Sequence, residues 1–405
     1  MPRWREILHH IVMLLGVPLA RGDPAALVEL AIEQRDKGVL HPNMPNYGSE
    51  LTRVWGGPPP RWYAAALEQF AQTYSTQRGR VALITGGTGG IGFYVAQLLA
   101  KVGLTVILPS RPGLLHEATS AQEAIAASVP DATVLVPEVP LDLGSFSSVR
   151  AFGAHLRASV RVLDVVCLNA ARGGSGFERP SERTVDGLEA IIQVNLLAHA
   201  MLLGEVLPLM RRSAHVRIAL MSSGARFNAR PAEMMAGELT SGASGWAQYS
   251  KSKAGLCLLA RALNAGRLRE AGIAGVASAA DPGICATGLN VQHDLAATLG
   301  GRVADTKALH DQAGSHASDG ALTLALAALD GESDAFYAGD GGRARSLAEA
   351  ARRQRGARGD PMGWEALAVD GFWAAVAAAT PGMADTWKAA SAGEVVAGAS
   401  TRDEL

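Results

Sequence analysis

The segment Val81-Ala82-Leu83-Ile84-Thr85-Gly86-Gly87-Thr88-Gly89-Gly90-Ile91-Gly92 decides the fold. A short apolar run ends in clustered glycines and an apolar segment with helical spacing follows, which predicts a buried strand, a tight turn and a helix. Gly86 suits the turn, Gly90 lets a ligand phosphate approach the backbone, and Gly92 lets the helix pack closely on the strand. The N-terminus of this helix would offer N–H groups to a pyrophosphate. Taken alone, the glycines are also compatible with a purely structural turn.

The composition is that of a globular protein. The chain has 405 residues, of which 48% are hydrophobic and 19% charged, and its formal net charge is -1. This charge balance gives no reason to expect a nucleic-acid partner. The three cysteines, Cys167, Cys257 and Cys285, are widely spaced and odd in number, so they indicate neither a disulfide framework nor a metal site. No uninterrupted run of 18 apolar residues occurs, and we therefore expect no standard membrane-spanning helix.

The two ends of the chain leave its location open between the cytoplasm and the endoplasmic reticulum. Residues 11–20 have the length of the apolar core of a signal peptide, although Pro18 is unfavourable there. The tail Arg402-Asp403-Glu404-Leu405 resembles a variant of the K-D-E-L retrieval signal. Peripheral association with a membrane also stays open.

Strands and helices alternate through the middle of the chain. This alternation predicts a doubly wound parallel sheet of the Rossmann type, an α/β fold with right-handed crossovers. We divide the sequence into a mostly helical N-terminal extension (1–78), a dinucleotide-binding domain (79–340) and an Ala/Gly-rich C-terminal extension (341–405). The predicted strands are 81–84, 105–109, 133–141, 162–168, 216–221, 275–279 and 335–337, and the predicted helices include 145–159, 188–210 and 247–270.

The N-terminal extension carries more aromatic residues than a disordered leader normally has. Residues 61–74 show helical spacing of apolar side chains. We therefore predict that this helix docks Trp62, Leu67 and Phe70 on the dinucleotide-binding domain.

Tyr249 and Lys253 stand four residues apart on a predicted helix, so both project from one face. A tyrosine with an ordinary pKa near 10 is a poor base at neutral pH. A nearby ammonium stabilises the phenolate, and we expect it to lower the pKa of Tyr249. The same spacing also occurs in helices without any catalytic role.

From about residue 80 to 337 the sequence resembles the short-chain dehydrogenase/reductase family. Each motif is weak alone, but seven occur in the family's order and after the expected elements. They are Thr85-Gly86 with Gly90-Ile91-Gly92, Leu141-Asp142-Leu143, Asn169-Ala170-Ala171, Asn195, Ser223, Tyr249 with Lys253, and Pro282-Gly283 with Thr287. Ala171 departs from the pattern, since the family has glycine there.

The resemblance implies a role for each motif. Tyr249 would exchange a proton with the reacting oxygen, and Ser223 would bind that oxygen by a hydrogen bond. Lys253 would lower the pKa of the tyrosine and bind the nicotinamide ribose. Asn195 would hold a water that links the lysine to solvent. Ser222 is a rival to Ser223, although Ser223 matches the family position better. The remaining residues are expected to contact the cofactor: Thr85, Gly86, Gly90, Ile91, Gly92, Asp142, Leu143, Asn169, Ala170, Pro282, Gly283 and Thr287.

Within the family, the segments 186–199 and 318–337 are similar to the retinol-dehydrogenase-like branch. Leu196 and Ala198 depart from its usual His and Gly. Light-dependent protochlorophyllide reductases share much of this pattern, but their reactive cysteine follows Pro-Gly directly. Here Ile284 intervenes before Cys285, which makes the photochemical interpretation the lesser one.

Cofactor preference is predicted from the end of the second strand. An acidic residue at this point favours NAD, whereas an arginine accepts the 2′-phosphate of NADP. The chain has Ser110-Arg111 and no nearby acid, which favours NADP(H). The lesser alternative is that Arg111 is a surface residue that binds no ligand.

Together these features predict an NADP(H)-dependent oxidoreductase that interconverts an alcohol and a carbonyl on an apolar small molecule such as a retinoid, a steroid or a lipid. One alternative is a double-bond reductase of the protochlorophyllide type. Another is a catalytically silent nucleotide-binding protein with an interaction role.

Overall fold

A computed structural model describes residues 63–173, 182–241, 245–283, 285–286, 315–330, 336–338 and 369–391. Three sequence-based predictions therefore lie outside the described residues. They concern the N-terminal segment through Trp62, the position Thr287, and the C-terminal tail at 402–405.

A seven-stranded parallel sheet forms the centre of the protein. Its strands lie in the order β3-β2-β1-β4-β5-β6-β9, and every adjacent pair is parallel. This confirms the predicted doubly wound α/β fold. The strands are β1 (Val81–Ile84), β2 (Thr105–Ile107), β3 (Val134–Leu135), β4 (Val165–Leu168), β5 (Val216–Met221), β6 (Gly275–Asp281) and β9 (Phe336–Ala338), with a separate pair β7 (Cys285–Ala286) and β8 (Ser315–His316).

Helices cover both faces of the sheet, and each face has its own apolar core. One core includes side chains of α4, α5 and α6, and the other includes side chains of α2, α3 and α7. The helices are α1 (Tyr63–Thr73), α2 (Gly90–Lys101), α3 (Leu115–Ser128), α4 (Phe146–Ser159), α5 (Ala190–Met210), α6 (Gly245–Ala262), α7 (Ala317–Asp330), α8 (Val369–Ala379) and α9 (Met383–Ser391).

Some elements are shorter than predicted, for local chemical reasons. β2 ends at Ile107, before Pro109, and β3 is confined to two residues ahead of Pro137 and Pro140. Proline supplies no N–H to a strand ladder, so these prolines limit the pairing. The helix predicted from Ser145 begins at Phe146, because the Ser145 hydroxyl caps it by accepting from Ser148 N.

The flanking helices pack on the sheet domain. On α1, Tyr63, Leu67 and Phe70 are buried in the same core as α2, which confirms the predicted docking for the described part of this segment. At the other end, Trp373 of α8 and Trp387 of α9 form an edge-to-face pair 5.0 Å apart in the core on the α5 face. The boundaries at 78 and 340 remain a prediction, but the described helices beyond both of them share the cores of the central domain.

Helix α5 is long and apolar enough to cross a membrane by length and composition, and 89% of its most apolar window is buried inside the protein. That burial is what the central helix of an α/β layer requires, since it packs against sheet and neighbouring helices. Its apolarity is therefore explained by the fold.

Candidate active site

Gly86 and Gly92, in and just after the turn that follows β1, have no room for side chains. Gly86 has a φ of +65°, and a Cβ there would lie 2.9 Å from the Cα of Ala170. A Cβ at Gly92 would overlap the carbonyl oxygen of Gly86. Helix α2 begins after Gly89 with no side-chain cap and no acidic residue in its first turn. Its first N–H groups and its positive dipole end therefore suit an anionic ligand, as the residues of a dinucleotide site should.

Thr85 lies at the end of β1, but it is fully buried and supports the turn from beneath. Its hydroxyl accepts hydrogen bonds from the backbone N–H groups of Asn169 (2.9 Å) and Ala170 (3.0 Å). The Asn169 amide in turn donates to the carbonyl oxygens of Thr85 (3.1 Å) and Gly86 (3.3 Å). The Thr85 side chain, expected to contact the cofactor, is thus occupied in joining the ends of β1 and β4.

His199 on α5 completes this network, and sequence analysis gave it no role. Its Nδ1 lies 2.9 Å from the carbonyl oxygen of Asn195, and its Nε2 lies 3.0 Å from the hydroxyl of Thr85. Because a carbonyl can only accept, we assign the proton to Nδ1, which leaves Nε2 to accept from Thr85. Burial, with a contribution from the charge of Lys253, lowers the pKa of His199 to about 4, so the ring is neutral at pH 7.

Asn195 occupies a π-helical turn, 193–197, within α5. Its Oδ1 accepts from Arg172 N (2.7 Å), and its Nδ2 donates to the carbonyl oxygen of Arg172 (3.0 Å) and the hydroxyl of Ser252 (3.0 Å). The side chain therefore ties the segment after β4 to α6. The water-holding role that the family resemblance implies for Asn195 stays a prediction.

The two serines after β5 have separate partners. Ser222 is buried, and its hydroxyl donates to the carbonyl oxygen of Lys253 at 2.8 Å. The side chain of Ser223 instead forms a hydrogen bond with the phenol of Tyr249. The geometry therefore favours Ser223 as the residue next to the candidate proton donor, and gives Ser222 a structural contact with α6.

Tyr249 and Lys253 lie on one face of α6, and both are at least 90% buried. The Lys253 ammonium lies 5.4 Å from the centroid of the Tyr249 ring and donates to the carbonyl oxygen of Met221 at 2.9 Å. Lys251, two residues from Tyr249, points elsewhere and donates to the carbonyl oxygens of Glu238 and Ser241. The spacing argument thus selected the lysine that lies beside the tyrosine.

The expectation of a lowered tyrosine pKa is wrong for this arrangement. Burial raises the pKa of Tyr249 to about 12, and the hydrogen bond from Ser223 only partly offsets that effect. Burial also lowers the pKa of Lys253 to about 8, although Asp281 and Cys257 act in the opposite direction. Desolvation outweighs the neighbouring charges at both groups. The phenol is therefore protonated at neutral pH and is suited to donate a proton.

At the end of β6, Asp281 precedes Pro282-Gly283 and forms a buried ion pair with Arg226, 2.5 Å long. Sequence analysis identified neither residue, because nothing in their local pattern links positions that are 55 residues apart. Arg226 lies in the short 3₁₀ turn Gly224–Asn228 that directly follows Ser223. This pair therefore lies between two of the predicted site segments.

Arg111 and Asp142 lie near the ends of β2 and β3, where the adenosine end of a dinucleotide would bind. Arg111 is exposed and forms a surface ion pair with Glu117 at 3.0 Å. Asp142 is also exposed; its carboxylate accepts from Gly144 N at 2.7 Å, and Leu143 beside it is buried. Their surroundings leave both side chains accessible to a ligand.

The predicted site residues thus gather at one edge of the sheet. Because β1, β4, β5 and β6 are parallel neighbours, the segments after them meet at their carboxyl ends. These segments carry Gly86, Asn169, Ser223 and Pro282. The half-buried Ile91 begins α2 at the same edge.

The comparisons with known proteins identify the class to which this fold and site belong. The family profile for short chain dehydrogenase matches residues 80–296, which is more than half of the chain. The chain belongs to the short-chain dehydrogenase family.

Three relatives show where the similarity lies. The chain is 38% identical over 158 residues to the WW domain-containing oxidoreductase of Drosophila melanogaster, which covers 39% of this chain and 37% of the relative. It is 32% identical over 218 residues to the polyprenol dehydrogenase of Mus musculus (53% and 62%), and 34% identical over 145 residues to the retinol dehydrogenase 12 of Bos taurus (36% and 43%). The chain thus matches less than two thirds of the length of each relative.

Proposed function

We propose that this protein is an NADP(H)-dependent oxidoreductase that interconverts an alcohol and a carbonyl on an apolar small molecule of the retinoid, steroid or lipid type. The observation that carries the proposal is the hydrogen bond between Ser223 and Tyr249, with the Lys253 ammonium 5.4 Å from the tyrosine ring. These groups lie at the same sheet edge as the glycine turn, so a bound dinucleotide and a reacting oxygen would meet there.

The chemistry follows from the protonation states. In the reducing direction, Tyr249 would donate its phenolic proton to the carbonyl oxygen while Ser223 holds that oxygen by a hydrogen bond. In the oxidising direction the phenolate would accept the proton of the alcohol, with the Lys253 ammonium stabilising the negative charge. The bound nicotinamide would supply or accept the hydride. Burial keeps bulk water away from Tyr249, so its proton would be delivered to the substrate.

The preference for NADP(H) rests on Arg111. Its ion pair with Glu117 is exposed, with 66% of the arginine side chain accessible, and such pairs contribute about 0–1 kcal/mol. A 2′-phosphate offers a stronger, charge-assisted partner, and arginine binds phosphate in a bidentate manner. The guanidinium can therefore exchange Glu117 for the cofactor at little cost.

The apolar substrate class is supported by the surroundings of Tyr249. Ile191, Ala225 and Trp246 form a small apolar cluster with this tyrosine, and the indole stacks on the phenol ring with 5.9 Å between centroids. Phe227, in the turn after Ser223, is 47% exposed. Two of the relatives are named for dehydrogenation of a polyprenol and of retinol, which are apolar alcohols.

The double-bond reductase alternative receives no support from Cys285. The thiol is buried and donates to the carbonyl oxygen of Pro282 at 3.3 Å. Burial raises the pKa of Cys285 well above its ordinary value, so the group has no thiolate character. An alcohol–carbonyl reaction uses Tyr249 instead and needs no cysteine.

The test is to incubate the full chain with NADPH and a panel of retinoid, steroid and long-chain aliphatic carbonyls, and with NADP⁺ and the corresponding alcohols, while following absorbance of the reduced cofactor. We expect turnover of at least one substrate pair by the wild type. Tyr249→Phe should abolish turnover and leave NADPH binding nearly unchanged. Lys253→Met should abolish turnover and also weaken NADPH binding, because this lysine is expected to contact the nicotinamide ribose. Matched controls remove the same groups elsewhere: Tyr63→Phe on α1 and Lys251→Met on α6.

Two results would contradict the proposal. Substantial turnover by Tyr249→Phe would show that the phenol is not the proton donor. Tight NADPH binding with no turnover of any panel member would instead favour a silent nucleotide-binding protein.

A further inference from the structure

Arg226 makes contacts that link it to the backbone of the candidate site. Its Nη1 donates to the carbonyl oxygen of Ser223 at 3.0 Å and to Oδ2 of Asp281 at 2.5 Å. The guanidinium lies over the rings of Phe227 and Phe336, at 4.1 and 4.3 Å from their centroids. The side chain is 6% exposed, so its position is fixed on several sides.

Asp281 connects the same arginine to the turn after β6. Its Oδ1 accepts from Gly283 N at 3.0 Å, while Oδ2 binds Arg226. Through these contacts the ion pair joins Ser223, at the end of β5, to Pro282-Gly283, the turn expected to border the cofactor. A change in the pair would therefore move groups on both sides of the reacting atoms.

The pair also brings a carboxylate close to the proton-transfer residues. The polar and charged groups that act on Tyr249 include Ser223 after β5, Lys253 on its own helix, and Asp281 at the end of β6. The charge of Asp281 raises the pKa of Tyr249 and that of Lys253. Cys257 and His199 are the further groups that interact with Lys253.

The arrangement is not explained by stability alone. A buried ion pair often contributes little net stabilisation, because both charges lose their hydration. The Nε of Arg226 is buried and has no hydrogen-bond partner among the described residues, which adds a further cost. An apolar pair could fill this space without these costs.

We propose that Arg226 and Asp281 are positioning residues for the reaction: Arg226, held by Asp281, fixes the backbone of Ser223 so that its hydroxyl reaches Tyr249, and its charge compensates the carboxylate that faces the phenol. The proposal rests on the proposed function, because the alignment matters only if Tyr249 exchanges a proton with substrate. Neither residue is placed in contact with substrate.

The two parts of the role predict different effects in three variants. Arg226→Met removes the anchor of the Ser223 backbone and leaves the charge of Asp281 uncompensated, so kcat should fall about tenfold or more. In the pH profile of kcat, the limb that reports ionisation of Tyr249 (the pH limb) should shift to higher pH. Asp281→Asn keeps an acceptor for Gly283 N and removes the negative charge, so the limb should move down by about 0.5–1 pH unit. The double variant removes both charges; its limb should return near the wild-type position, while kcat stays low because the Ser223 anchor is still missing.

A matched control measures the general effect of losing such an arginine. Arg157 on α4 also binds both a carboxylate and a backbone carbonyl, those of Glu205, at 2.7 and 2.6 Å, and this pair lies on the α4–α5 face. Arg157→Met should change kcat less than about twofold and leave the pH limb in place, whatever its effect on thermal stability.

A measurement without turnover separates this inference from the proposed function. With 3-fluorotyrosine incorporated, ¹⁹F NMR follows ionisation of the Tyr249 phenol, and its resonance is assigned by its absence in Tyr249→Phe. The ionisation midpoint should rise in Arg226→Met and fall in Asp281→Asn. If the wild type turns over no substrate but the midpoints move in this way, the proposed function fails and the placement of the pair stands.

The proposal is overturned if the limb and the ¹⁹F midpoint stay at their wild-type values in both single variants. It is also overturned if Arg226→Met lowers kcat no more than Arg157→Met does. Should Arg226→Met fail to fold, Arg226→Lys and Asp281→Asn carry the test. Because Arg226→Lys keeps the positive charge, the ionisation midpoint of Tyr249 in this variant should stay near that of the wild type. In Asp281→Asn the midpoint should still fall.

Discussion

Protonation of His199 should disrupt the hydrogen bonds that support the glycine turn after β1. The neutral ring donates from Nδ1 to Asn195 and accepts at Nε2 from Thr85, whose oxygen already accepts two backbone N–H groups. A proton on Nε2 would place a second donor against that hydroxyl and a charge in a fully buried site near Lys253. Folding therefore favours the neutral form.

The magnitude follows from the two pKa values. The pKa of His199 is about 4 in the folded protein and 6.5 in a freely solvated histidine, a difference of about 2.5. At 1.36 kcal/mol per pH unit, the free energy of unfolding should fall by up to about 3 kcal/mol because of this residue. Because the folded pKa is depressed, this contribution is complete above about pH 6.5, declines as the pH falls, and is lost below about pH 4.

The assay is urea unfolding followed by tryptophan fluorescence at intervals from pH 7 to pH 4, for the wild type and His199→Gln. Carboxylates titrate over the same range, so the quantity of interest is the difference between the two proteins. The wild type should lose about 3 kcal/mol more than the variant, which cannot gain a proton at this position. His116→Gln, at an exposed position, serves as the control and should follow the wild type. Parallel curves for wild type and His199→Gln would refute the reasoning.

Three further predictions concern the cofactor and the flanking helices. Arg111→Ala should weaken NADPH binding by about 1.5–3 kcal/mol and hardly change NADH binding, whereas Glu117→Gln should maintain or tighten NADPH binding. Fluorescence titrations measure both affinities. Equal losses of affinity for the two cofactors in Arg111→Ala would contradict the assignment of this arginine to the 2′-phosphate. Phe70→Ala empties a fully buried position on α1 and should lower the free energy of unfolding by about 3–5 kcal/mol. The control Glu68→Ala, on the exposed side of α1, should lower it by at most about 1 kcal/mol. Similar chemical unfolding curves for the two variants would show that the docking of α1 is incidental. Trp387→Ala should cost a similar amount, about 3–5 kcal/mol, because its ring packs on Trp373 in the α5 core, and an unchanged melting temperature would argue against that packing.

The fold was predictable because its signals are local. The apolar run at 81–84 followed by glycines, and the repeated alternation of strand and helix patterns, each depend on neighbouring residues. Strand ends were less predictable where prolines remove hydrogen-bond donors, as at Pro109. The C-terminal helices α8 and α9 were missed, because an Ala-rich segment shows weak contrast between its faces.

The site was predictable where a motif has fixed spacing, and was missed where contacts are long-range. The positions of Tyr249 and Lys253 followed from a spacing of four, but the sign of the tyrosine's pKa change depended on burial, which spacing does not report. Ser222 and Ser223 could be separated only by their partners. Arg226 lies in the turn that follows β5 and Asp281 is the last residue of β6, so only the fold brings them together.

The packing of α8 and α9 has a consequence for how the chain is made. The apolar surface of α5 around Gly204 is covered by Trp387, which a ribosome adds more than 180 residues later. Until then the nascent domain carries an uncovered hydrophobic area on its largest core, the kind of surface that chaperones bind and that promotes aggregation. Chains interrupted before residue 369 should accumulate in the insoluble fraction even though every predicted catalytic residue has already been translated.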